Sequence, residues 1–185
     1  MPEYTTKEAV ENYLLRNIDS SFNDQITEWI IAMSLQVDKI CNRQMYRAEE
    51  ETYVYDGDGT DMIMIKDCCD ISAVTVDGVE KTVYKYPVNK EYASRIRLDG
   101  DTFTKGLQNV AVTGIQAMSA TLQEDVKYAC TVMVAGICNA QIFNEKQGTT
   151  ERIGNYQITY KDDAQKTDYE RAVSALSKYK RIALG

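Results

Sequence analysis

Apolar positions Phe22, Ile26, Trp29, Ile30, Met33, Val37, Ile40 and Cys41 recur by threes and fours. That is the spacing of a helix burying one face, and it predicts one that follows Ser20-Ser21 and ends near Asn42-Arg43. A shorter helix is expected over residues 6–16, capped by Thr5 or Thr6, with Ala9, Val10, Tyr13 and Leu14 on its inner face. The helical period returns at Thr121-Leu122-Gln123-Glu124, which has the form of a capping box. Behind it Leu122, Val126, Ala129, Cys130, Met133, Val134, Ile137, Cys138 and Ile142 make a second long stripe. A last helix carries Tyr169, Val173, Leu176 and Tyr179 on one face.

Between these helices the period changes to two. Short β-runs at 52–55 and 62–66 flank Asp56-Gly57-Asp58-Gly59 and predict a hairpin. Runs at 71–76 and 79–86 flank Asp77-Gly78 and predict another, with type I′ chemistry. Further runs lie at 95–98 and 109–113. The fold class expected is therefore α+β: a helical bundle core, residues 1–50 and 116–185, interrupted by a small antiparallel β-sheet or barrel insertion, residues 51–115.

One segment fits neither part. Within residues 151–160, Tyr156, Ile158 and Tyr160 alternate with Gln157 and Thr159 between two helical patterns. It reads as a lone strand with a flexible approach over residues 149–154. Such an edge seeks a mate, either in the insertion's own sheet or on another chain.

Composition narrows the chemistry. With 21 Lys+Arg against 28 Asp+Glu, the chain is poorly suited to gripping phosphates, which needs clustered cations. Histidine is absent, which removes the commonest general base and activator of Ser or Cys nucleophiles. Neither glycine-rich phosphate motif occurs. Residues 56–67 echo a calcium loop, but Asp61 stands where glycine is needed and a strand begins too early. Nothing brings Glu51, Asp67 and Asp70 together as an acid–base pair. Cys41, Cys68, Cys69, Cys130 and Cys138 lack framework spacing and read as reduced, buried thiols. No apolar run has the length of a membrane span and no charged-then-apolar leader opens the chain, so a soluble, cytoplasmically made protein is expected, without cofactor, metal or catalysis.

The chain resembles the head–tail connector, or adaptor, proteins of long-tailed bacteriophages. The resemblance rests on Ala32-Met-Ser-Leu-Gln-Val-Asp38, Tyr55-Asp-Gly-Asp-Gly59, Ile71-Ser-Ala-Val-Thr-Val-Asp-Gly78, Glu124-Asp-Val-Lys127, Val134-Ala-Gly-Ile137 and Glu151-Arg-Ile-Gly-Asn-Tyr156, in that order. Two departures touch helix boundaries: Cys41-Asn42-Arg43 stands for a Thr-Gly-Arg turn, and Gln123 for a proline. The resemblance implies a non-catalytic virion protein of the neck, assembled in the host bacterial cytoplasm. It implies a ring, a dodecamer, docked on the portal protein, with a stopper or tail-completion protein below and DNA as passing cargo. A small binding module built on the β-insertion is the alternative.

Two contact regions are expected. Tyr179, Arg181, Ile182 and Leu184, near a frayed end with Lys178 and Lys180 interleaved, would dock on the portal. Arg152, Tyr156, Ile158 and Tyr160 would serve contacts between subunits.

Overall fold

The computed structural model describes residues 2–88, 90–143, 150–159 and 163–181. Two compact units emerge, one of residues 1–42 with 123–185, the other of residues 43–122. The expected limits of the insertion, 51 and 115, lie inside the second unit. The segments leading in and out are fastened to each other there: Met118 N–H donates to Gln44 O at 2.9 Å, and Tyr46 and Ser119 form a parallel bridge.

In the first unit, α1 (Lys7–Leu14) starts at Thr6, whose side chain accepts from Ala9 N–H. Helix α2 (Asn23–Cys41) buries Ile26, Trp29, Ile30, Met33, Ser34, Val37 and Cys41; of the expected stripe, Ile40 is only half-buried and Phe22, also half-buried, lies in the 3-10 turn before the helix. It ends on Asn42 in the left-handed conformation, φ 52°, which asparagine tolerates in place of glycine. Ser34 is buried because its hydroxyl accepts from Tyr4 N–H at 2.9 Å, while Tyr4 OH donates to Asp38 at 2.6 Å.

Helix α3 (Glu124–Gln141) departs from expectation in two ways. The capping box does not form: Gln123 is the cap and Thr121 N–H is held by Ser119 Oγ, so the helix starts at Glu124. Nor is one stripe buried. Every residue from Ala129 to Asn139 is buried, because α1, α2 and α4 and a β-hairpin all pack on this helix. That stretch has no charged residue, the mark of a helix covered all round. The last helix, α4 (Asp163–Leu176), buries Ala172 and Leu176 and passes into a 3-10 turn, Ser177–Tyr179.

The second unit is a six-stranded antiparallel sheet: β1 (Glu51–Gly57), β2 (Met62–Val76), β3 (Val79–Glu80), β4 (Val83–Tyr86), β5 (Tyr92–Leu98) and β6 (Gly106–Ile115). Its order is β1-β6-β2-β5-β4, with β3 on β2. The Asp77-Gly78 turn forms as predicted, with φ of 49° and 78° at its two residues and Val76 paired to Val79, but the expected run 79–86 is two strands, β3 on β2 and β4 on β5. The Asp56-Gly57-Asp58-Gly59 hairpin does not. Gly59 N–H and Thr60 O instead bond to Phe103, which is wholly buried, so β1 pairs with β6. The runs 62–66 and 71–76 are one strand with two irregularities. Its first half pairs with β5 and its second with β6, and Cys69 is paired on both sides. The sheet wraps one core of Ile63, Ile65, Val74, Val76, Ile96, Leu98, Phe103, Val110 and Val112.

Candidate functional site

Residues 150–159 are not a lone strand. Strand β7 (Thr150–Ile153) pairs with β8 (Tyr156–Thr159) across the two-residue turn Gly154-Asn155. Gly154 has φ 60°, a conformation glycine adopts without strain. The signal was present: Gly-Asn between two runs is a hairpin turn. Thr-Glu-Arg-Ile is too short and polar to read as a strand alone, and its strand character comes from its pairing with β8.

The hairpin docks through Ile158, which is fully buried. A β-carbon on Gly136 of α3 would lie 2.2 Å from Ile158 Cγ2, so only glycine permits this approach. This corrects one expected inter-subunit residue: Ile158 is taken up by its own unit. Of the other three, Arg152 is exposed, Tyr156 is half-buried, and Tyr160 lies outside the described residues.

Beside the hairpin lies a cleft of about 650 Å³. Trp29 and Gln25 of α2 and Gln141 at the end of α3 line one side. Arg152, Asn155, Tyr156 and Gln157 of the hairpin line the other. Its chemistry is aromatic and amide with one cation; among the described residues the lining holds no carboxylate or thiol, and its one hydroxyl is the Tyr156 phenol. Such a set can recognise a partner through aromatic, amide and guanidinium contacts. Sequence reasoning found Arg152 and Tyr156 but missed Trp29, Gln25, Gln141, Asn155 and Gln157, which only packing brings together.

Residues 178–181 are anchored to α2 and α3. Tyr179 OH donates to Asp125 at 2.8 Å, and Lys178 Nζ lies 2.5 Å from the same carboxylate in the first turn of α3. Arg181 N–H donates to Cys41 O at 2.8 Å, and Asn42 Nδ2 donates to Arg181 O at 3.3 Å. Burial pushes the Asp125 carboxyl up, but Lys178 and Tyr179 outweigh it and hold the group below its ordinary range. Lys178 lies in the 3-10 turn, with Lys180 and Arg181 beyond it rather than in the last turn of α4. Ile182 and Leu184 lie outside the described residues.

The acidic loop has no cage. Asp58 accepts from Thr60, Asp56 from Gln108 N–H, and Asp61 from Arg97. Among the described residues, no group of three His, Cys, Asp or Glu is placed to hold a metal ion, and no helix is long and apolar enough to cross a membrane. Asp67 instead lies 3.3 Å from Arg43 Nε, both nearly buried, with the guanidinium over Tyr92. All five cysteines are buried and none is in a disulfide. Burial pushes the Cys68, Cys130 and Cys138 thiols up to about 12.

No protein-family model and no curated protein matches this sequence. Among solved structures, the chain is similar to one in the neck of an empty GTA particle with C6 symmetry, at TM-score 0.59 and 11% identity over 96% of this chain and 90% of that one. It is similar also to one in the neck of a native GTA particle with C12 symmetry, at TM-score 0.55 and 10% identity over 97% and 93%. Over nearly its whole length, then, the chain has the fold of proteins found in the necks of these particles.

Proposed function

We propose that this chain is a structural neck protein of a phage-type particle: a connector that assembles as a ring beneath the portal and through which DNA passes. The observation that carries this reading is the full-length likeness to chains in neck structures with C6 and C12 symmetry. Cyclic symmetry of that kind requires head-to-tail contacts repeated around an axis. In this reading the first unit is the helical bundle core of the ring, and the stopper or tail-completion protein binds below it. The protein does no catalysis in this reading, and the cleft, lined by amide, aromatic and guanidinium groups, is a contact surface. A formal net charge of −7 suits a wall that DNA must slide past without sticking.

Tyr179, Arg181, Ile182 and Leu184 serve the portal contact in this proposal. The fastening of Tyr179 and Arg181 to α2 and α3 supports it, because an anchored tip meets a partner at lower entropic cost than a frayed one. Arg152 and Tyr156, beside the cleft, serve contacts between subunits.

Electron microscopy of the protein mixed with its cognate portal tests the reading. Rings seated on one face of the portal are expected, with Arg181→Glu weakening their attachment at least tenfold. Failure of the chain to bind portal, or to form any ring on it, overturns the assignment.

A further inference from the structure

One feature of the β-unit serves no internal purpose. At the start of β6, Leu107 is 85% exposed. It sits in a bulge: Tyr55 pairs with Val110 and Gly57 with Gly106, so β6 carries extra residues there. Gln108 adopts φ 52°, a conformation uncommon for a residue with a side chain. The bulge is firmly held. Asp56 Oδ1 accepts from Gln108 N–H at 2.7 Å, Asn109 Oδ1 from Gly57 N–H at 2.9 Å, and Asn109 Nδ2 donates to Thr104 O at 2.8 Å. The result is an apolar knob on a hydrogen-bonded bulge, with Asp56 bound to its backbone, Asp58 exposed two residues further along the same segment, and Lys105 beside Gly59. Thr60, through its hydroxyl and its N–H, holds Asp58 below the ordinary carboxyl range, so it stays charged at neutral pH.

The cleft of the first unit has the opposite character. Tyr156, half-buried, offers aromatic surface, the buried Trp29 contributes only a margin of its ring, and Arg152 is exposed and makes no ion pair among the described residues. We infer that the cleft beside the β7–β8 hairpin receives the Leu107 knob of a neighbouring copy of this chain, with Leu107 against the Tyr156 ring and Arg152 paired to Asp58. Two arguments select this occupant. Cation and carboxylate are complementary between knob and cleft, and complementary charges fix register in an interface. Knob and cleft are also different surfaces, so the contact is heterologous and propagates head to tail, as closure into a ring requires. The inference rests on the ring reading and names its contact.

The test uses the full chain assembled on portal. Arg152→Glu and Asp58→Lys should each lower ring formation at least tenfold, and the two together should restore it. Leu107→Cys with Gln157→Cys should yield covalently linked copies under oxidising conditions, the native thiols being buried. Rings that form normally with either charge reversal, or assembled rings in which the cysteine pair gives no linked copies, overturn the contact and leave the ring reading standing. A small molecule found in the cleft of assembled rings overturns it likewise. Absence of rings from the unaltered chain on portal overturns both.

Discussion

Ile158 fills the space that a side chain on Gly136 would need, with Cγ2 2.2 Å from where the β-carbon would stand. Ile158 is β-branched and cannot swing aside. Gly136→Ala should therefore destabilise the protein by about 1–3 kcal/mol through overpacking, less roughly 1 kcal/mol regained in helix propensity. Ile158→Ala should cost about 2–5 kcal/mol for the cavity left behind. In the Ile158→Ala background, Gly136→Ala should become neutral or stabilising. Urea unfolding of the four proteins measures the coupling, and strictly additive effects would show that the two residues do not touch.

Arg43 and Asp67 form a nearly buried ion pair, with side-chain exposures of 10% and 4%. Removing one charge strands the other where water does not reach it. Asp67→Ala should cost roughly 3–5 kcal/mol, whereas replacing both residues by apolar ones of similar volume should recover most of that loss. Chemical denaturation decides the matter. A loss from Asp67→Ala typical of exposed pairs, below about 1 kcal/mol, would show that the pair is hydrated.

Asp125 clamps the C-terminal tip through Lys178 and Tyr179. Its folded pKa is depressed, so its contribution is complete above the unfolded value of about 4 and is lost as pH falls through the lower folded value. Hydrogen exchange over residues 177–181 should be slow at pH 7 and, after correction for intrinsic rates, protection should weaken in acid. Asp125→Asn should show the weakened state already at pH 7. Truncation after Lys178 removes the Tyr179 and Arg181 bonds, each worth about 1 kcal/mol. It should lower Tm by roughly 5–10 °C; an unchanged Tm would mean the tip is not fastened in solution.

Replacing residues 43–122 with a short flexible linker should leave the first unit folded, because each unit has its own core. Helical circular dichroism per helical residue should be preserved and melting should remain cooperative. An unfolded product would show that the helices depend on the β-unit.

Local physics made much of this chain legible from its sequence alone. The stripe of α2 was readable because one side of that helix faces water, so burial appears as a period. The Asp77-Gly78 turn was readable because two consecutive residues with positive φ demand that chemistry. Asn42 could be placed as a helix end for a related reason, its left-handed backbone. The absence of histidine and of phosphate motifs, likewise, is a property of composition and needed no fold. Tertiary contacts decided the rest. The Asp56–Gly59 segment has hairpin composition, yet burial of Phe103 draws its backbone to another partner and sends β1 to β6. The β7 strand has no apolar alternation and exists because β8 is held against α3 by one isoleucine over one glycine. The cleft gathers residues from positions 25 to 157, and the tip joins 41, 125 and 179. Neither leaves a local pattern, because the interactions that build them act between segments far apart in the chain, where periodicity carries no information about which face meets which.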